Sequence, residues 1–126
     1  MPVKLTSPVF EYTIPSGLAT NARYTKNLEL VADTTAEYAP FNSLVVDNFS
    51  TRTIKVEYGA GHYVYLRGNT LAEIQQNGIR SFSVENVDSS STDEFIICYV
   101  QKKITPDIAL ESLARNIPVE RLMGGN

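Results

Sequence analysis

From Thr51 to Arg67 the chain alternates almost without fault. Ile54, Val56 and Tyr58 interleave with Thr53, Lys55 and Glu57. After Gly59-Ala60-Gly61, His62, Val64 and Leu66 interleave with Tyr63, Tyr65 and Arg67. A period of two puts successive side chains on opposite faces of an extended strand and is incompatible with a helical stripe. Two such runs across a glycine-rich break read as a hairpin. The same grammar recurs on both sides. "PVFEYTI" sets Phe10, Tyr12 and Ile14 on one face, and Pro15-Ser16-Gly17 stops it. "NLELVA" is expected to be a strand through Leu28 and Leu30, and the Ala-rich connection that follows closes at Pro40. "RSFSVENV" points Phe82 and Val84 inward, while "EFIICYVQK" is apolar on both faces, as a central or covered strand would be. "TLAEIQQNGI" is ambiguous: Leu71 and Ile74 fit one helical turn, and Asn77-Gly78 favours a tight turn.

One phrase is written twice. Val46-Asp47-Asn48-Phe49 and Val84-Glu85-Asn86-Val87 each end a strand at Asn, pass through Ser and Thr, and enter another apolar strand. An Asn side chain can bond nearby backbone and start a turn. Each copy therefore reads as strand–turn–strand, arising from common hairpin chemistry rather than demonstrated duplication. The expectation is an all-β, antiparallel, jelly-roll-like sandwich of about seven or eight strands over residues 1–104.

Residues 105–126 change texture. Thr105 suits an N-cap, Pro106 the first helical position and Asp107 the positive helix start. Leu110, Leu113, Ala114 and Ile117 form one stripe, with Glu111 and Arg115 spaced to pair opposite it. Beyond Pro118, Val119, Leu122 and Met123 add an apolar turn before Gly124. This short C-terminal helical arm must hide its stripe. Its own domain and a neighbouring subunit are both open as hosts, and Leu110, Leu113, Ile117, Val119, Leu122 and Met123 are the candidate interface residues.

Chemistry is sparse. At 126 residues with a net charge of −3, the chain can bury a core as one domain. No basic run extends beyond Lys102-Lys103, so a nucleic-acid or anionic-membrane footprint is not expected. No stretch has the roughly 20 apolar residues of a membrane span. The opening "MPVKLTSPVF" lacks the apolar core of a secretory signal, and Cys98 is the only cysteine. Both fit a near-complete chain of cytosolic origin. His62 is the only histidine and has no acid–base partner by spacing; Cys98 sits within a strand as a core thiol. "DSSSTDE", residues 88–94, gathers three carboxylates and is weighed as a calcium loop against a solvated hairpin tip. Tyr63, Tyr65 and Arg67 share a strand face that could meet a partner or a sugar. No catalytic, metal-binding or cofactor-binding residue is assigned.

The phrases "VVDNFSTRTIKVEYG" and "SFSVENVDSSSTDEFIICYVQKK" resemble the strand ends and paired hairpins of small β-rich structural proteins of tailed bacteriophages. The resemblance covers about half of the chain. It implies a non-enzymatic virion component, such as a decoration, head-fibre or tail-associated subunit. Such a subunit would be assembled in the host cytoplasm, form a homotrimer or larger homo-oligomer, and bind capsid or other virion proteins. The alternative is a carbohydrate-binding β-sandwich module using Tyr63, Tyr65 and the 88–94 loop.

Overall fold

A computed structural model describes residues 6–30 and 32–103. Eight strands follow in order: β1 Phe10–Ile14, β2 Arg23–Asn27, β3 Phe41–Asn48, β4 Ile54–Gly59, β5 His62–Leu66, β6 Thr70–Ile79, β7 Ser81–Asn86 and β8 Ile96–Gln101. They form two four-stranded antiparallel sheets, ordered β1-β8-β3-β6 and β2-β7-β4-β5. This is the strand order of an eight-stranded jelly roll, in which successive strands alternate between the sheets except at the β4–β5 hairpin. The expected arm at 105–126, with Leu110, Leu113, Ile117, Val119, Leu122 and Met123, lies outside the described residues.

The alternating patterns did what they promised. Leu44 and Val46 of β3, Ile54 and Val56 of β4, Phe82 and Val84 of β7, and Ile96, Cys98 and Val100 of β8 meet between the sheets, all essentially solvent-free. Phe10, Tyr12 and Tyr24 extend this core towards β1 and β2, with Phe10 edge-on to Phe41 and Tyr12 tilted against Phe82. As its sequence implied, β8 is central, paired with β1 on one side and β3 on the other.

Two local expectations are corrected. The strand foreseen at "NLELVA" lies earlier, at Arg23–Asn27. There Tyr24 and Lys26 turn inward against β7, and Leu28 is buried just past the strand end. The ambiguous "TLAEIQQNGI" is wholly extended as β6. Asn77-Gly78 makes no hairpin: Gly78, at φ +85°, lies within β6 opposite the register shift between Phe41 and Ser43. A residue free of Cβ accepts that conformation, and the irregular pairing lets β6 run on towards β7.

The repeated phrase has a structural cause. Asn48 and Asn86 are both 0% exposed. The Asn48 Nδ2 donates to the carbonyls of Arg52 (2.8 Å) and Arg67 (3.1 Å), and its Oδ1 accepts from the Ser50 N–H (3.1 Å). The Asn86 Nδ2 donates to the carbonyls of Ser90 and Leu18 (both 2.8 Å), and its Oδ1 accepts from the Asp88 N–H (2.9 Å). The pattern is the same: carbonyl at i+4, amide at i+2, and one carbonyl from another crossing loop. Advancing every strand number by four, with wrap-around, carries the first sheet onto the second. It also carries the β5–β6 crossing, which holds Arg67, onto the β1–β2 crossing, which holds Leu18. The backbone bond from Phe49 N–H to the Phe95 carbonyl corresponds likewise to that from Val87 N–H to the Thr53 carbonyl. All four crossings at this end are thus tied to two side-chain amides. Gly68 fits the same junction, since a Cβ there would come within 2.5 Å of the Thr51 backbone.

Asn48→Ala and Asn86→Ala are each expected to cost about 2–4 kcal/mol, because each leaves buried backbone groups without partners. Urea unfolding measures this; a loss as small as that of an exposed substitution would contradict the assignment.

Candidate functional site

The exposed aromatic pair is set by the β4–β5 hairpin. Gly61, at φ +76°, supports the turn, and the register then pairs Lys55 with Tyr65 and Glu57 with Tyr63. Because Leu66 and Val64 point into the sandwich, Tyr63 and Tyr65 must point out. They are 47% and 60% exposed on a strand that ends its sheet. Their rings meet edge to face at 5.6 Å and 82°, and the Lys55 ammonium lies 4.4 Å from the centre of the Tyr63 ring. Arg67 is exposed just beyond β5, and its carbonyl is one of the acceptors held by Asn48. Tyr63 and Tyr65 thus project outward side by side from the edge strand, with Arg67 exposed one residue beyond its end.

The outer faces of the two sheets differ in character. On the β2-β7-β4-β5 sheet the central strands present Ser81, Ser83, Glu85, Lys55 and Glu57, with Arg23 bonded to Glu85 at 2.8 Å. On the β1-β8-β3-β6 sheet the central strands present Phe95, Ile97 and Tyr99 beside Phe49 and Val45. Phe49 and Phe95 pack ring to ring at 4.8 Å, and Leu71, 58% exposed on β6, lies across from Asp47. This apolar stripe explains why the β8 sequence is apolar on both faces.

Two carboxylates of the 88–94 loop are bonded to the β3–β4 crossing. The Asp93 carboxylate accepts the Thr51 N–H (2.8 Å) and the Thr51 hydroxyl (2.6 Å). The Asp88 carboxylate accepts the N–H groups of Thr53 (3.1 Å) and Ser89 (2.7 Å). The Thr51 hydroxyl holds Asp93, and the Thr53 amide holds Asp88, below the usual carboxylate range. Their oxygens are committed to fastening the β3–β4 crossing. Among the described residues no group of three His, Cys, Asp or Glu side chains is placed to hold a metal ion.

The two candidate nucleophile or base residues are placed apart from any such chemistry. His62 is exposed and stacks on Tyr58 at 6.0 Å, and among the described residues no carboxylate hydrogen-bonds its ring. Cys98 is fully buried, and loss of solvation pushes its thiol up to about 12. A polar group that sequence reading missed lies beside β1 and β2. There the Lys26 ammonium sits 3.2 Å from Asp33 and 5.3 Å from the centre of the Tyr12 ring. The Asp33 hydrogen bond raises the Lys26 pKa, while burial raises that of Tyr12. Its only sequence signal was the alternation of Tyr24 with Lys26, obscured by the misplaced strand boundary.

No protein-family model matches the chain, and no curated protein matches it. Solved structures of similar strand arrangement include a de novo designed double-stranded β-helix. It is 9% identical, with a TM-score of 0.42, over 75% of this chain and 99% of that one. The cupin domain of Schizosaccharomyces pombe Cnp3 is 15% identical, with a TM-score of 0.43, over 87% of this chain and 62% of that one. PirA is 18% identical, with a TM-score of 0.38, over 73% and 92%.

Two outcomes are expected. Carboxyl NMR titration should place Asp88 and Asp93 below an ordinary aspartate. Their stabilisation should be complete above the unfolded value, about 3.9, and be lost as pH falls through their depressed native values. A stability–pH curve unchanged by Asp93→Asn would contradict this. Separately, Cys98 should resist a thiol reagent in the native protein at about pH 8, near an unperturbed thiol pKa, and react fully in urea. Rapid native labelling would refute its burial.

Proposed function

We propose that this chain is a non-enzymatic structural subunit of a virus particle. In this reading it assembles in the host cytoplasm, associates with itself as a trimer or larger ring, and attaches to capsid or other virion proteins. The single observation that carries the proposal is the exposed Tyr63–Tyr65 pair on β5, at an unpaired sheet edge. Tyrosine gives large contact area with a polar tip and is enriched at protein interfaces. An unpaired edge also offers backbone groups to a neighbouring strand. Two further points lend support. The strand phrases resemble those of phage structural proteins, and viral capsid domains are among the users of the jelly roll. The arm residues Leu110, Leu113, Ile117, Val119, Leu122 and Met123 belong to the proposal only as a sequence expectation.

The carbohydrate alternative has less in its favour. A sugar ring stacks best on a flat, open aromatic face. Tyr63 and Tyr65 stand nearly perpendicular, and Lys55 lies over one face of Tyr63.

Sedimentation equilibrium of the full chain is expected to show a homotrimer or larger species. Tyr65→Glu should shift it towards monomer, while thermal stability changes little because an exposed substitution typically moves stability by within about 0.5 kcal/mol. A chain that is monomeric at every concentration, or an oligomer indifferent to Tyr65→Glu, would overturn the proposal.

A further inference from the structure

We infer that Asn77 is a site of spontaneous covalent modification, at which the Gly78 backbone nitrogen closes on the Asn77 side-chain amide and the neutral bulge of β6 acquires an aspartyl or isoaspartyl carboxylate. The inference rests on the local geometry of β6 and does not depend on the proposed virion role.

The sequence supplies the reacting pair. Closure makes a five-membered ring, and a side chain on the residue after the asparagine crowds that ring. Asn77 is the only asparagine of the chain that is followed by glycine.

The structure supplies the room. An alternating strand should bury every second residue. Yet Gln75, Gln76, Asn77 and Gly78 are all exposed, between buried Ile74 and buried Ile79. The register explains this bow. Gln75 pairs with Ser43 and Ile79 with Phe41, so three residues of β6 face Asn42 alone. A bulge leaves its extra residues outside the ladder. β6 also ends its sheet, and among the described residues no strand pairs with its other side. Gly78 sits at φ +85°, where a Cβ would meet nothing within 4 Å. The space that ring closure needs is open.

The other described asparagines lack the glycine, and several are also locked. Asn48 and Asn86 are sealed, with their amides bonded. Asn42 is buried, and both of its side-chain polar atoms are bonded to Lys103. Asn27 accepts the Glu29 N–H (2.9 Å) and precedes Leu28. Asn21 and Asn69 precede Ala22 and Thr70.

The Gly78 N–H gives its proton to a solvent base as the nitrogen attacks the Asn77 Cγ. The N–Cγ bond forms, the Cγ–Nδ2 bond breaks, and Nδ2 takes up a proton and leaves as ammonia. Water then opens the cyclic imide. Attack at Cγ gives aspartate, and attack at the main-chain carbonyl gives isoaspartate. In sum one water is consumed and one ammonia released, with no oxidation or reduction. Isoaspartate lengthens the main chain by one atom, which a bulge between the anchored Ile74 and Ile79 can absorb. Either product places a negative charge on a stretch, Gln75 to Ile79, that carries none. Charge on an exposed edge discourages pairing with a further strand.

Peptide mapping by mass spectrometry of the full chain, aged in mildly alkaline buffer, tests this. The peptide that holds Asn77 should change from amide to acid several-fold faster than any other asparagine peptide. The product should divide into a form cut by an endoproteinase that cleaves before aspartate and an isoaspartyl form that resists it. Gly78→Ala should slow the change several-fold, and Asn77→Gln should halt it over the same period. Folded and urea-unfolded chains should convert Asn77 at rates within a few-fold of each other. An Asn77 that stays amide in the folded chain while converting in urea would overturn the inference, since the bulge would then protect it. So would faster conversion at another asparagine, such as Asn21 or Asn69.

Discussion

Two buried side-chain amides hold this sandwich closed at one end. Asn48 finishes β3 and Asn86 finishes β7, each at the point where the chain leaves one sheet for the other. Crossing loops are the weak point of a jelly roll, because their backbone groups leave the sheet ladders while still near the core. An unpaired buried carbonyl or N–H costs as much as a lost hydrogen bond or more. An amide side chain is the smallest group that donates twice and accepts at once, so one residue can serve its own turn and the neighbouring crossing together. A carboxylate could not donate, and an aliphatic residue could do neither.

The other features of this end follow from that arrangement. Once Asn48 has drawn the β3–β4 crossing inward, Thr51 and Thr53 present N–H groups to Asp93 and Asp88. The acidic loop thus acts as a clasp on that crossing. Gly68 is required where the β5–β6 crossing passes the Thr51 backbone. Phe49 and Phe95, the residues flanking these junctions, are turned outward and stack against one another. Chemistry that looked like a ligand loop in one dimension serves to stitch the fold in three.

Much of the fold was legible because period-two alternation is a strong signal wherever one face is buried. The β4–β5 hairpin and the inward Phe82 and Val84 came from it, while the central position of β8 came from a run that is apolar on both faces. The failures were local. β2 alternates Tyr24 with Lys26, and a lysine on the inner side breaks the pattern that reveals a strand. β6 carries Leu71 outward and Ile74 inward, three residues apart, and that spacing resembles a helical turn. The Asn repeat was visible, but its meaning was not, because its partners Arg67 and Leu18 lie 19 and 68 residues away. The Tyr63–Tyr65 face was legible as a face, whereas the perpendicular rings and the Lys55 contact needed coordinates. The difference between the two outer surfaces also needed the sheet order, since strand alternation alone does not say which strands become neighbours.

The central claim is that the Asn48 and Asn86 amides are structural members sealed between the sheets. Hydrogen exchange of their side-chain NH2 groups, followed by NMR in the intact chain, tests it most directly. The account expects these protons to exchange only when the whole sandwich opens, with protection close to that of the central β3 and β8 amides. Exchange as fast as that of a surface asparagine would contradict it.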